Sequence, residues 1–260
     1  MQRYFVEPAQ FTGNELVIAG DDAHHISRVM RMAEGDQVIV SDGQSRTVIA
    51  EIVSFGNKEV TLVVTGELEQ QSEAAWSVTI AQGLPKGDKM ELIVQKCTEI
   101  GAAGFIPFES QRVIVQYDRK KEAKRLERWH KIAKEAAEQS HRNVIPTIAE
   151  PLSWKQLLSS IASYDLALFC YERAGAEGHG IGLKDVLQQY KQQWQQAGLV
   201  KPTIVLIVGP EGGFTESEAE QAQEAGAELV GLGKRILRAE TAGMVGLSCI
   251  LYESGEMGGV

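Results

Sequence analysis

The sequence predicts an α/β protein with a small β-barrel over residues 1–70 and a larger domain with a mostly parallel sheet over residues 74–260. The first part holds short β-branched segments bounded by Gly, Asp or Asn, a pattern typical of small barrels. The second part alternates apolar strands with amphipathic helices, the order from which parallel sheets are built. The polar run 67–75 lacks β-branched residues and is interpreted as the linker between them.

In the first part, Phe5 and the segment around Leu16 start the series of strands. Strands are predicted at 37–40, 47–53 and 60–64, and a helical insert at about 24–32. In the second part, the spacing of apolar residues predicts a set of strands and two helices. The strands are 77–81, 105–107, 166–171, 204–208 and 228–230, and the helices are 88–101 and 120–140.

Composition excludes several classes of protein. The net charge of −9 argues against a protein that coats nucleic acid by charge alone, although a local basic face is still allowed. The apolar runs are too short for a transmembrane helix, and no signal peptide is visible, so a cytoplasmic protein without membrane contact is expected. Cys97, Cys170 and Cys249 have no CxxC spacing. They are interpreted as buried apolar residues, and no metal site is expected.

A glycine-rich loop follows the buried strand 204–208. It reads Gly-Pro-Glu-Gly-Gly-Phe over residues 209–214, and Thr215 with Glu218 then forms a capping box that starts a helix. Ligands of open α/β sheets bind beyond the carboxyl ends of the strands, where glycines let the backbone approach them. The alternative is a tight structural turn. We refer to residues 209–214 as the first glycine loop.

A second glycine loop, residues 231–238, follows strand 228–230. It is not a dinucleotide fingerprint, because Ile236 stands where that pattern needs glycine, and this disfavours a Rossmann-type oxidoreductase. It is not a phosphate-binding P-loop either, because Lys234 is followed by Arg235. The helix predicted over 240–252 is rich in small residues, which indicates close packing, either in a dimer interface or as a buried, threaded helix.

These two loops together resemble motifs two and three of the SPOUT methyltransferases, and the version here is most similar to the ribosomal small-subunit methyltransferase E family. The resemblance extends to the stretches 24–32, 82–91, 95–101 and 135–140, and so covers nearly the whole chain. His141 departs from the pattern, because glycine is expected at that position in many relatives.

The resemblance implies a PUA-like RNA-binding barrel at the N-terminus and a deep trefoil knot in the C-terminal domain. It also implies a homodimer that binds S-adenosylmethionine in the knot and methylates uracil N3 in 16S ribosomal RNA, near the decoding region of the small subunit. Two alternatives stay open. One is a related enzyme that acts on another RNA base or on transfer RNA, and the other is a non-catalytic knotted RNA-binding protein.

For the cofactor we expect the two glycine loops, the start of the following helix and one neighbouring strand end. The expected residues are Tyr171, Val208, Gly209, Pro210, Glu211, Gly212, Gly213, Leu232, Gly233, Ile236, Leu237, Arg238, Thr241 and Ala242.

Arg238 is also the candidate catalytic residue, because a cation stabilises negative charge that develops on a uracil oxygen. The alternative is a salt bridge from Arg238 to Glu240 or Glu211. Glu240 is a candidate base, but a carboxylate near a helix start is more often a cap, so the base is left unassigned.

Residues 110–142 contain ten basic and five acidic residues, and this stretch is predicted to face RNA. The alternative is a solvated helix face. Including residues of the N-terminal part, the predicted RNA-binding set is Arg3, Arg28, Arg31, Arg112, Arg119, Lys120, Lys121 and Arg142.

Overall fold

The computed structural model describes residues 1–44, 46–69, 72–111, 119–172 and 181–258, without the side chains of 119–121 and 181. The chain divides into two compact units, one formed by Met1–Glu73 with Lys134–Ile145 and the other by Ala74–Ala133 with Pro146–Val260. The division after Glu73 falls within the predicted linker. The segment Lys134–Ile145, however, belongs to the first unit, whereas the sequence placed it in the second.

The first unit is built on one mainly antiparallel sheet. Its strands are β1 (Arg3–Phe5), β2 (Phe11–Thr12), β3 (Glu15–Ala19), β4 (Gln37–Ser41), β5 (Thr47–Phe55) and β6 (Glu59–Glu67). They lie in the order β1-β4-β5-β6-β3-β2, and only β1 and β4 pair in parallel in this described sheet. Alternate residues such as Val38, Val40 and Leu62 point into a single core, as the period of two requires.

The helical insert of the first unit begins earlier than predicted. It consists of α1 (Asp21–His24), which continues into a π-helical turn over His25–Val29. Ala23 and Ile26 bury one side of this insert against the sheet.

Salt bridges explain why Lys134–Ile145 packs with the first unit. Lys134 Nζ lies 2.9 Å from Asp22 Oδ2. Glu73 accepts a hydrogen bond from the Asn143 backbone amide at 2.8 Å and pairs with Arg142 at 2.6 Å. These contacts join parts of the chain that are far apart in the sequence, so periodicity does not predict them.

The second unit contains the remaining strands and helices. The strands are β7 (Ser77–Gly83), β8 (Gly104–Glu109), β9 (Thr147–Ile148), β10 (Leu152–Ser153), β11 (Leu166–Cys170), β12 (Ile181–Gly182), β13 (Thr203–Val208) and β14 (Glu228–Gly231). The helices are α2 (Lys89–Ile100), α3 (Arg119–Gln139), α4 (Trp154–Ser160), α5 (Leu183–Ala197), α6 (Glu216–Glu224) and α7 (Ala239–Ser254). The last residues of α3 count with the first unit.

The described strands of the second unit form one sheet in the order β10-β8-β7-β13-β11-β14-β12, with β9 beside β8. Every pair in this sheet is parallel, which confirms the predicted α/β architecture. The central strands are buried along almost their whole length, as expected for a sheet with both faces covered. Helices α4 and α5 were not among the sequence predictions.

The small residues of α7 pack the helix against the sheet of its own unit. A Cβ added at Gly246 would lie 2.6 Å from Leu206 Cδ2 of β13, so glycine is needed for this approach. Of the three cysteines expected to be buried, Cys97 in α2 is buried and Cys170 is half-buried. Cys249 in α7 is exposed. Among the residues that the structure describes, no helix has the length and apolar character needed to cross a membrane.

Candidate functional site

A cavity of about 460 Å³ opens at the carboxyl edge of the second sheet. The first glycine loop leaves β13 there, the second leaves β14, and β11 lies between these two strands. The two loops therefore follow strands that are not neighbours in the sheet. The reason is that β14 pairs with β11 rather than with β13, so the end of β11 and Tyr171 form part of the wall.

The structure brings nearly all of the predicted cofactor residues together around this cavity. Those that line it are Tyr171, Val208, Gly209, Pro210, Glu211, Gly212, Gly213, Leu232, Gly233, Ile236, Leu237, Arg238 and Ala242. Thr241 is not among the described lining residues. Sequence reasoning missed a further group, which consists of Lys89, Cys170, Glu172, Phe214, Val230, Gly231, Lys234, Arg235 and Ala239.

The two ends of the first glycine loop are packed into the core of its unit, whereas Glu211 and Gly212 at its tip are exposed. Phe214 is buried, and its ring lies 4.1 Å from the ring of Phe169 on β11. A Cβ on Gly209 would come within 3.1 Å of the Phe214 ring, and a Cβ on Gly83 would come within 2.6 Å of Pro210 Cδ. The loop thus needs glycines because its backbone passes close to its neighbours.

Hydrogen bonds hold both ends of this loop. Buried Gln82 donates from Nε2 to the Gly209 carbonyl at 3.2 Å, which ties β7 to the end of β13. After the loop, the predicted capping box is present, with the Glu218 amide donating to Thr215 Oγ1 at 3.1 Å. Glu218 is fully buried and also accepts a bond from the Gln111 amide.

The second glycine loop is exposed along most of its length. Gly233 has a φ of +112°, a backbone conformation that other residues rarely adopt. The side chains of Lys234, Arg235 and Ile236 all face solvent at the mouth of the cavity, and Arg238 is 84% exposed.

Lys89, at the start of α2, joins the first glycine loop electrostatically to the start of α7. Its Nζ lies 2.9 Å from Glu211 Oε1 in the first loop and 3.3 Å from Glu240 Oε2 at the start of α7. The hydrogen bond to Glu211 raises the pKa of Lys89. Burial acts to raise the pKa of Glu211, but the bonds from Lys89 and the Lys86 amide outweigh it, so the net pKa is lowered. Both groups of this pair are therefore charged at neutral pH.

Lys89 also bears on the role of Arg238. Arg238 Nη1 lies 3.9 Å from Glu240 Oε1, which is too long for a hydrogen bond, and its side chain is mostly in water. Glu240 and Glu211 each have the Lys89 ammonium within 3.3 Å, so both carboxylates have a cationic partner other than Arg238. The guanidinium group can therefore reach a ligand at the mouth of the cavity.

The predicted RNA-binding residues occupy different environments. Arg28 and Arg31 are exposed on the first unit. Arg112 lies outside the described residues, as do the side chains of Arg119, Lys120 and Lys121.

Arg3 and Arg142 are instead buried, at 8% and 4% exposure, contrary to the surface position that their prediction assumed. Arg3 Nη1 donates to the Arg142 carbonyl at 2.8 Å, and Arg142 pairs with Glu73. Their guanidinium groups thus bind other parts of the first unit, so we leave these two residues out of the RNA-facing set. In the described part of the chain, no group of three or more His, Cys, Asp or Glu side chains is placed to hold a metal ion.

Comparison with known families and proteins shows similarity over the whole chain. Residues 70–251 match the RNA methyltransferase domain, and residues 18–65 match the RNA methyltransferase PUA domain. The ribosomal RNA small subunit methyltransferase E of Bacillus subtilis (strain 168) is 42% identical over 258 residues, covering 98% of this chain and 97% of that protein. The protein of the same name from Synechocystis sp. is 36% identical, over 95% of this chain and 76% of that protein.

A solved structure with this fold contains a ligand. It is the ribosomal RNA small subunit methyltransferase E from Neisseria gonorrhoeae bound to S-adenosyl methionine. It superposes with a TM-score of 0.82 at 29% identity, covering 97% of both chains.

Proposed function

The chain belongs to the ribosomal RNA small subunit methyltransferase E family, and on that basis we propose that it methylates N3 of a uracil in 16S ribosomal RNA with S-adenosylmethionine as the methyl donor. The product is 3-methyluridine, and the target nucleotide lies near the decoding region of the small subunit. The observation that supports this proposal best is the single cavity that gathers both glycine loops at the carboxyl edge of the parallel sheet.

The residues around the cavity fit S-adenosylmethionine. A volume of about 460 Å³ lies within the range of roughly 300–1,000 Å³ usual for small-molecule sites. Val208, Leu232 and Leu237 offer apolar surface for an adenine ring, and the glycine loops offer backbone donors and acceptors without a Cβ in the way. The bound S-adenosylmethionine of the Neisseria gonorrhoeae relative supports the same assignment.

When bound, S-adenosylmethionine supplies a methyl group that its sulfonium already activates for transfer. The task of the protein is therefore to hold the uracil nitrogen in line with that methyl group and to stabilise the charge that develops on the base. Uracil N3 carries a weakly acidic proton, and its loss leaves negative charge shared between N3 and the two carbonyl oxygens. We assign the stabilisation of this charge to Arg238, whose exposed guanidinium group lines the mouth of the cavity.

Glu240 serves better as a partner of Lys89 than as the general base. Its side chain is only 14% exposed, and its Oε2 lies 3.3 Å from the Lys89 ammonium, so the carboxylate is already engaged in an ion pair at the wall of the cavity. We therefore propose that catalysis depends mainly on stabilising the uracil anion, and we assign no residue as the acceptor of the N3 proton.

RNA contact outside the cavity is proposed for the exposed residues Arg28 and Arg31 of the PUA domain. For the basic run that includes Arg112 and residues 119–121, RNA contact stays a prediction. The homodimer and the trefoil knot implied by the family resemblance likewise stay predictions.

Nucleoside mass spectrometry tests the proposed reaction. Small ribosomal subunits that lack their native methylation, and naked 16S RNA in parallel, are incubated with the protein and S-adenosylmethionine. We expect 3-methyluridine, and the two samples show whether the assembled subunit is required. Another methylated nucleoside would replace the uracil-N3 assignment, whereas the absence of any new methyl group from both samples would refute the proposal.

A further inference from the structure

Three consecutive residues of the second glycine loop form the outer edge of the cavity. Lys234, Arg235 and Ile236 all line it, and all three are exposed. We call them the rim segment. Ile236 is 84% exposed, the highest value among the exposed large apolar side chains that the structure describes. A single exposed apolar side chain is normal at a protein surface, so it is the position of Ile236 beside two cations at the edge of the cavity that points to a ligand.

The charges of the rim segment differ from those inside the cavity. The inner carboxylates Glu211 and Glu240 are paired with Lys89. Neither Lys234 nor Arg235 forms an ion pair with another described residue. Two adjacent cations thus have no ion-pair partner among the residues that the structure describes, on a protein whose net charge is −9. Such a local excess of positive charge complements the phosphates of a nucleic acid.

We propose that the rim segment binds the RNA strand beside the target nucleotide, with Lys234 and Arg235 on phosphates and Ile236 against the face of a nucleobase. This inference rests on the proposed function, because a base that enters the cavity must bring its flanking strand past the mouth. Cations that contact phosphates set the position of the RNA strand, and an apolar side chain contacts the bases of that strand. The rim segment is therefore a substrate surface, which moves Ile236 from the expected cofactor set to the RNA side, while the inner parts of the loops hold the cofactor.

Two variants test the rim segment, each with a matched control. Lys234→Gln/Arg235→Gln removes both cations, and Lys155→Gln/Lys201→Gln makes the same charge change at exposed lysines that do not line the cavity. Ile236→Ser removes the apolar side chain, and Val200→Ser does so at another exposed aliphatic residue, which is 73% exposed. Affinity for S-adenosylmethionine is measured by calorimetry, and affinity for unmethylated 16S RNA by fluorescence anisotropy at several salt concentrations.

For the double rim variant we expect RNA affinity to fall about tenfold, and the slope of log affinity against log salt to become shallower by about 1.4, since each contact to a single-stranded phosphate contributes about 0.7. For Ile236→Ser we expect a loss of about fivefold with an unchanged slope, because no charge is removed. In all rim variants the affinity for S-adenosylmethionine stays within about twofold of the unsubstituted protein, and both controls bind RNA normally.

Three results would overturn the inference. Loss of S-adenosylmethionine affinity with unchanged RNA affinity would make the rim segment part of the cofactor wall. A change in oligomeric state, measured by sedimentation, would make it a contact with a second copy of the chain. Unchanged binding of both ligands would leave the segment without a role. Because RNA binding is measured directly, protein that binds 16S RNA but transfers no methyl group would refute the proposed function alone.

Discussion

The two glycine loops resemble each other in composition but differ in how the rest of the unit holds them. The first is anchored by buried Phe214, by Gln82 on its first carbonyl and by Lys89 on Glu211. The second is exposed from Gly233 to Ile236. One loop is therefore a rigid wall of the cavity, and the other is its open side.

The glycines show the same difference. Gly209 is needed because a Cβ would meet the Phe214 ring at 3.1 Å, whereas Gly233 is needed for its φ of +112° and would meet nothing within 4 Å. A crowded glycine permits close packing, and an uncrowded one with positive φ redirects the chain. We infer that substitutions in the first loop, or in residues packed against it, mainly lower the free energy of unfolding. Side-chain substitutions in the second loop mainly lower the rate of methyl transfer.

The largest effect is expected from Arg238→Ala, which tests the second loop. We expect kcat to fall by about 10²–10³, the usual loss when one group that stabilises developing negative charge is removed. Affinity for S-adenosylmethionine, measured by calorimetry, should change by less than about twofold. Lys155→Ala, at an exposed cation that does not line the cavity, is the control. Turnover close to that of the unsubstituted protein would remove Arg238 from the mechanism.

The first loop is tested by Gly83→Ala. The new Cβ would lie 2.6 Å from Pro210 Cδ and 2.8 Å from Pro210 N, and the backbone atom cannot move aside without shifting the loop. We expect the free energy of unfolding, measured in urea, to fall by about 1–3 kcal/mol, as for other overpacked sites. Gly66→Ala in β6 is the matched control, since its Cβ would meet nothing within 4 Å. Equal stability of the two variants would show that the first loop is not held by packing.

Lys89→Met tests the connection between the first loop and the start of α7. Without Lys89, Arg238 becomes the nearest cation to Glu240, at present 3.9 Å away, and pairing with it draws the guanidinium group from the substrate. We expect kcat to fall about tenfold. When Lys89→Met is added to Arg238→Ala, kcat should not fall below that of Arg238→Ala alone, because the effects of coupled residues do not add. If the loss of kcat in the double variant equals the product of the two single losses, Lys89 does not act through Arg238.

The smallest effect concerns pH. The lowered pKa of Glu211 means that the stability it contributes is present above its usual pKa range and is lost as pH falls through the lowered pKa. The raised pKa of Lys89 means that its contribution is lost only at strongly alkaline pH. We expect the difference in urea midpoint between the unsubstituted protein and Glu211→Gln to stay constant from about pH 6 to about pH 9 and to shrink below about pH 4. A difference that varies near neutrality would contradict this pairing.

Much of the architecture follows from local patterns. The alternation in β4 to β6, the apolar run of β13 and the capping box of Thr215 and Glu218 were all visible in the sequence and are present in the structure. His141, singled out because glycine was expected there, has a φ of +57°, in the region that glycine favours.

Other features depend on residues that no local pattern connects. Lys89 was missed as a lining residue, although it stands in the stretch 82–91 that carried part of the family resemblance. The same limit applies to Arg3 and Arg142, which were expected at the surface because basic residues usually lie there. Their burial depends on partners far along the chain, such as Glu73 for Arg142.

Strands, helix starts and glycine turns were readable from the chain alone because they arise from side-chain period and backbone preference over a few neighbouring residues. The placement of β11 between β13 and β14, the packing of Lys134–Ile145 with the first unit and the pairing of Lys89 with two carboxylates required the folded structure. The physical reason is that strand order and ion pairing depend on which distant segments meet, and on the burial and charge that each contact brings.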